Sequence, residues 1–246
     1  MRLREVLSPA TIRHFEPEIT AKVIELNTLH LPMEERSTYQ KAFLQVMNLW
    51  RQSEVVQQLV LSTRLARIAA ELLGVEGVRL YHDQALYKET GGGITPWHAD
   101  QYYWPFSSDR CCTVWIPLQE TPLEMGSLSF AVGSHRFEFG RDLPISDESE
   151  SRLQEAIARQ GFEVSIEPYG LGDVSFHLGW TFHRANPNRT DLPRRVMTVI
   201  YLDADMTVAS PANDNQAADL ATWMPGAQPG EVPETPLNPV LYRAAT

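Results

Sequence analysis

GDVSFHLGWTFHRANPNRTDLPRRVMTVIYLD, residues Gly172–Asp203, carries two runs rich in β-branched and aromatic residues, DVSFH and RRVMTVIYLD, on either side of a polar stretch broken by Pro187 and Pro193. Runs of this kind, bounded by Gly, Pro and Asp, read as strands. Working outward, VRLYHDQALYK (78–88), CCTVWIPL (111–118) and SLSFAV (127–132) repeat the pattern. A set of short strands at this spacing predicts a mainly β fold with flanking helices. Its expected core, over residues 77–205, is an antiparallel double-sheet jelly roll, the cupin-like double-stranded β-helix, which leaves few exposed edges.

Before Gly77 the period changes. Ala42, Val46 and Leu49, then Leu61, Leu65, Ile68 and Leu72, recur at spacings of three and four, with Gly74 placed as a C-cap and Ser53–Glu54 as a helix start. Residues 1–76 are therefore expected to be mainly helical and to pack on the barrel. A helical insertion is predicted near 149–160, where Leu153, Ala156 and Ile157 line one side and Gly161 stops the run. Six of the 17 prolines fall after Ser210, so 206–246 reads as an irregular tail, wrapped on the surface or closing over a site. The whole of 1–246 is expected to form a single catalytic domain.

The 246 residues are 43% hydrophobic, and 21 basic against 31 acidic residues leave a net charge of -10, which opposes phosphate-rich partners. Nucleic acid is not expected as a partner, and a small-molecule substrate is. Cys111 and Cys112 are adjacent and cannot form an ordinary bridge; they read as small packed side chains. The first residues, MRLREVLSPATIRHFEPE, carry charges throughout, and nowhere is there a run of about 18 apolar residues. A soluble, cytoplasmic protein without a membrane partner is the expectation.

The chemistry is concentrated in TPWHADQYYW, where His98 and Asp100 lie two apart and would share one side of an extended strand. Alone the pair says little. His183 adds a second imidazole in an apolar setting, and Arg194 follows eleven residues later. Two neutral imidazoles and a carboxylate leave three octahedral positions of Fe(II) open, the facial triad of non-haem oxygenases. The open positions suit the keto acid end of 2-oxoglutarate and O2. Arg194, a planar cation that never loses its charge, would grip the far carboxylate of that co-substrate.

At these residues the chain resembles the phytanoyl-CoA dioxygenase family of Fe(II)/2-oxoglutarate-dependent oxygenases. The resemblance spans roughly Leu80 to Leu202 and rests on ALYKETGGGITPWHADQYYW, TVWIPLQETPLEMGSLSFAVGSH and the His183–Arg195 stretch, in the family's order. It implies His98, Asp100 and His183 as iron ligands and Arg194 as the co-substrate anchor, with Lys88 and Trp115 as further 2-oxoglutarate contacts. Many members have Ser two residues after the distal His, where this chain has Ala185. The halogenases among these enzymes resemble the same pattern but replace the carboxylate with Gly or Ala; Asp100 is retained here, which favours hydroxylation or a related oxidation.

Four further residues are substrate candidates. Tyr102 and Trp104 follow the ligand pair and could line the pocket mouth, although a plain hydrophobic rim explains them equally. Gln84 shares a strand face with Lys88 by period two, and His177 ends the strand before the turn to His183, where a hydrogen-bonded structural role is the alternative. His82 and His135 lack a carboxylate at metal spacing and read as structural or surface residues. Gly91–Gly93 form a flexible connector, not a phosphate loop, and Arg195 should point away from Arg194. The expected function is oxidation of an unactivated C–H bond of a small organic metabolite, with release of succinate and CO2. A non-catalytic metal- or small-molecule-binding jelly roll is the alternative; a zinc hydrolase would need a general base that the motif does not offer.

Overall fold

The computed structural model describes residues 1–245. Eleven strands are β1 (Arg2–Leu3), β2 (Leu44–Met47), β3 (Gly77–Lys88), β4 (Thr95–His98), β5 (Cys111–Pro117), β6 (Leu128–Ala131), β7 (Val164–Ile166), β8 (Val174–Leu178), β9 (His183–Ala185), β10 (Arg194–Asp203) and β11 (Val240–Arg243). Six helices are α1 (Pro9–Leu26), α2 (Thr38–Ala42), α3 (Glu54–Val60), α4 (Thr63–Leu73), α5 (Asp147–Gln160) and α6 (Asp214–Trp223). The strands form two antiparallel sheets. The larger runs β1-β8-β5-β10-β3-β11, with β2 also paired to β3; the smaller runs β4-β9-β6-β7. The two face each other as the double-stranded β-helix does, without closing into a continuous barrel.

Period two decides which side chains meet the helices and which face inward. On β10, Met197, Val199 and Tyr201 join one core with Ile12, Phe15, Ile19 and Val23 of α1 and Leu65, Ala66, Ala69 and Ala70 of α4. The alternate residues look the other way: Val196 packs on Leu128 and Ala185 of the small sheet, Arg194 and Thr198 border the cavity, and Ile200 and Leu202 join Tyr81, Trp104 and Phe106. The neighbouring strands follow suit: Val114 and Ile116 of β5 and Phe176 of β8 pack on the helices, leaving Thr113, Trp115, Ser175 and His177 for the interior. Arg195, on the outer face, pairs with Glu16 of α1 and donates to Gln119.

Several expected boundaries hold. Ser53 caps α3, Gly74 ends α4 with φ +66°, and α5 begins on a capping box at Ser146 and ends at Gly161 with φ +70°. Two expectations are corrected. The Ala42–Val46–Leu49 spacing is not one helical face: Ala42 ends α2, Val46 is in β2, and Leu49 opens a single 3-10 turn whose N–H is accepted by the buried Asp83 carboxylate at 2.9 Å. An edge strand of four residues is too short to show its own period against helical neighbours. The tail after 206 is not irregular throughout, since it contains α6 and β11, the latter paired with β3. Among the described residues no helix is long and apolar enough to cross a membrane.

Candidate active site

His98 ends β4 and His183 begins β9, and the two are direct partners across the ladder. Ala99 stays extended (φ −121°, ψ 130°), so the period-two relation of His98 and Asp100 survives although β4 has ended. One ligand atom from each of His98, Asp100 and His183 falls within 4.8 Å of the others. Asp100 Oδ1 lies 3.5 Å from His98 Nε2 and 3.7 Å from His183 Nε2.

The tautomers follow from the partners. His98 Nδ1 is 2.7 Å from the Pro96 carbonyl and His183 Nδ1 is 3.0 Å from the Thr181 carbonyl; a carbonyl can only accept, so each Nδ1 carries a proton. In the neutral rings both Nε2 lone pairs then face the same carboxylate oxygen. Burial pushes the Asp100 carboxyl upward, but His183, His177 and His98 around it more than reverse this and hold it well below the ordinary carboxylate range. Burial, helped by His98, pushes His183 down to about 3, so its ring is neutral at physiological pH. His98 Nε2, His183 Nε2 and Asp100 Oδ1 thus converge as three donors that could hold one cation. Asp100 Oδ2 is separately held by Thr113 at 3.1 Å and His177 at 3.3 Å, both inward residues of the large sheet.

Both ligand strands are braced from outside by α5. Glu150 accepts the backbone N–H of Trp97 at 2.8 Å and pairs with Arg184 at 2.7 Å, the residues immediately before His98 and after His183.

Arg194 is 1% exposed, yet among the described residues no carboxylate pairs with it: it donates to the Gly126 carbonyl, its Nε is unpartnered there, and its guanidinium stands 5.5 Å from the Trp115 ring. A buried guanidinium with spare donors suits a dicarboxylate. Gly126 permits this, with φ +86° and room for a Cβ only at 2.5 Å from the Asn186 carbonyl. Ala185 stands opposite Thr95 in the ladder, and the Thr95 hydroxyl lies 3.3 Å from Lys88 Nζ.

These residues share a cavity of about 280 Å³. Of the sequence candidates it brings together His98, Asp100, His183, Arg194, Trp115, Gln84, Trp104 and His177. Lys88 and Tyr102 are not on its wall. Lys88 is the register partner of Arg194 and is turned toward Gly93 and Thr95; burial, then repulsion from Arg194 and Arg184, lowers it to about 6. Tyr102 gives way to Tyr103 because the chain turns into a 3-10 helix at Asp100, where residues three apart eclipse. His82, read above as structural or surface, is buried and on the wall, whereas His135 is half-buried and off it.

The wall also holds residues that carried no motif: Tyr39 and Phe43 near α2, Thr113 and Thr198 from inward strand positions, and Asp219 and Trp223 of α6. Parity on β5 and β10 could have found the threonines. Helix α6 is tied to the turn after the ligand pair, Gln216 donating to the Tyr102 carbonyl at 3.0 Å and Asn213 at 3.4 Å.

The chain matches the family described as Phytanoyl-CoA dioxygenase (PhyH) over residues 2–196. It is 26% identical over 159 residues, 62% of its own length, to a probable alpha-ketoglutarate-dependent hypophosphite dioxygenase of Stutzerimonas stutzeri, and spans only 54% of that protein. Among solved structures it resembles the epimerase SnoN in complex with Fe3+, alpha ketoglutarate and nogalamycin RO, with a TM-score of 0.80, 23% identity and coverage of 98% of this chain and 93% of that one. It also resembles the non-heme alpha ketoglutarate dependent carbocyclase SnoK from nogalamycin biosynthesis, with a TM-score of 0.76, 26% identity and coverage of 98% and 90%.

Proposed function

Since the chain belongs to the phytanoyl-CoA dioxygenase family, we propose that it is an Fe(II)/2-oxoglutarate-dependent dioxygenase that oxidises an unactivated C–H bond of a small organic metabolite. The observation that carries this reading is the presence on one cavity wall of three converging metal-ligand types, His98, Asp100 and His183, and of the buried Arg194 guanidinium, which no carboxylate pairs with among the described residues. A ferrous ion and 2-oxoglutarate complete both. His98, Asp100 and His183 would hold the metal, and Arg194 the distal carboxylate of the co-substrate. When bound, that pair with O2 supplies a two-electron oxidation, giving succinate and CO2.

The chain's own part is positioning. The backbone carbonyls of Pro96 and Thr181 fix the imidazoles as neutral Nε2 donors. Thr113 and His177 keep one oxygen of Asp100 occupied and leave the other for the metal. Trp115, Leu128 and Val196 form an apolar wall beside Arg194, which removes water and strengthens its ion pair with an incoming carboxylate. The retained Asp100 fills the place that halogenases leave free for chloride, so hydroxylation or a related oxidation is the supported outcome.

The test is anaerobic titration of the protein with Fe(II) and 2-oxoglutarate, followed by air. A weak visible charge-transfer band and succinate formation are expected. No band together with no succinate would refute the reading; slow succinate release that no metabolite accelerates would favour the binding-module alternative.

A further inference from the structure

The cavity wall offers a carboxylate that the proposed oxidation does not use. Asp219 lies on α6 one turn from Trp223, and Ala218, Asp219, Thr222 and Trp223 present one side of that helix to the cavity. Its Oδ2 accepts from the buried Tyr81 hydroxyl at 3.0 Å. Arg194 is the sole Lys or Arg among the residues lining the cavity, and it is the group proposed to grip 2-oxoglutarate. His82 supplies no positive charge, because burial lowers it to about 3. Asp219 thus borders the cavity with Tyr81 and Trp223 as neutral hydrogen-bond partners and, among the described residues, no cation paired to it.

What surrounds it is aromatic. Tyr39, Phe43, Tyr103, Trp104 and Trp223 line the same chamber, and aromatic ring faces attract a desolvated cation. The His82 ring stands 5.3 Å from that of Trp223, and its Nδ1 is buried without a hydrogen-bond partner, a second polar atom available to a ligand N–H. A half-buried carboxylate among aromatic side chains matches an ammonium group and repels a carboxylate or phosphate.

We propose that the prime substrate carries a basic amine, held by Asp219 of α6 inside the Tyr39–Tyr103–Trp104–Trp223 aromatic lining, while another part of the same molecule meets the metal ligands. This rests on the oxygenase reading for what is done to the substrate, though not for what is bound. The negative net charge of -10 works in the same direction, by drawing cations toward the protein.

The test uses three probes of one shape: 4-phenylbutylamine, 4-phenylbutan-1-ol and 4-phenylbutanoate. Binding is followed anaerobically on the Fe(II)–2-oxoglutarate protein, both by tryptophan fluorescence and by perturbation of the visible band. The amine should bind at least tenfold more tightly than the alcohol, and the carboxylate more weakly than either. Asp219→Asn should bring the amine to the level of the alcohol with the alcohol unchanged, and Asp219→Glu should retain the preference. A wild-type protein that binds none of the three, or binds the alcohol as tightly as the amine, overturns the proposal, as does an amine preference that survives Asp219→Asn. Absence of the visible band would count against the oxygenase reading alone, since the fluorescence comparison still decides which probe is preferred.

Discussion

Arg194 and Asp219 are the two charged side chains on the cavity wall whose neighbours leave them unbalanced, and each has a measurable consequence. Arg194 presents a planar fork from a buried strand position, whereas Lys presents a single rotating ammonium at the same depth. Arg194→Lys is expected to weaken 2-oxoglutarate binding about 10–100-fold, the equivalent of one or two charge-assisted hydrogen bonds. Anaerobic calorimetry checks this, and an unchanged dissociation constant would remove Arg194 from the anchor role. Asp219 titrates in the opposite sense to most surface carboxylates: burial raises it from 3.8 to about 6, with Tyr81 and Trp223 opposing. Between about pH 4 and 6 the folded state therefore holds a proton that the unfolded chain has released. The stability from this group is full at acid pH and is lost as pH rises through 6. Asp219→Asn should be more stable than wild type by about 1–2 kcal/mol at pH 7.5, after allowance for partial exposure, with the gap closing toward pH 4.5 in urea titrations. A gap that widened toward acid would mean that the carboxyl is not raised. At this scale the metal pair was legible, because Ala99 keeps the extended backbone that period two assumes. Tyr103 stands on the wall where the sequence offers Tyr102, because nothing in DQYY, neither Gly nor Pro, announces the turn that exchanges the two.

Among the elements, α6 and the turn at Gly126 matter most. Helix α6 fully buries no residue of its own, so its apolar stripe is too weak for a sequence pattern to detect; Leu220 and Trp223 pack on the Tyr81–Trp104 cluster while Asp219 and Thr222 border the cavity. Polar bonds fasten it as well, and Gln216→Ala removes one of the side-chain bonds to the Tyr102 carbonyl. A loss of about 0.5–1.5 kcal/mol in local stability is expected, seen as faster amide exchange confined to 214–223. Exchange unchanged there would mean that Asn213, with the packing of Leu220 and Trp223, holds the helix without Gln216. At the other end of the cavity, Gly126→Ala would place a Cβ 2.5 Å from the Asn186 carbonyl at a φ of +86°. The carbonyl that receives Arg194 must then move, and a raised KM for 2-oxoglutarate, with a melting temperature lowered by a few degrees, should follow. The segments with a helical period and a clear stop, α4 with Gly74 and α5 with Gly161, were readable from sequence; β2 was not, being four residues long on a sheet edge.

Over the whole molecule, the inward and outward parities of β5, β8 and β10 divide one sheet between two tasks, a helix-packed core on one side and the chemistry on the other. Period two separates Arg194 from Arg195 in the sequence, whereas the small sheet, assembled from strands of three and four residues, is defined by pairing partners far apart in the chain. Because its donors converge before any ion arrives, metal should stabilise the fold as a ligand does. At a hundred times its dissociation constant a divalent ion contributes about 2.7 kcal/mol, or roughly 5–10 °C in a chain of this size. Calorimetry with Mn(II) and then EDTA measures it, and a melting temperature indifferent to both would contradict the site. Glu150 adds a mechanical consequence. By tying the residue before one ligand to the residue after the other, it acts as a splint across two strands that otherwise meet only at their ladder. The gauge of the site is then set by the scaffold and not by its occupant. Calcium, which takes six to eight oxygens, would find two imidazole nitrogens in a set of three fixed ligands. Transition ions, which suit imidazole, would find their donors already gathered.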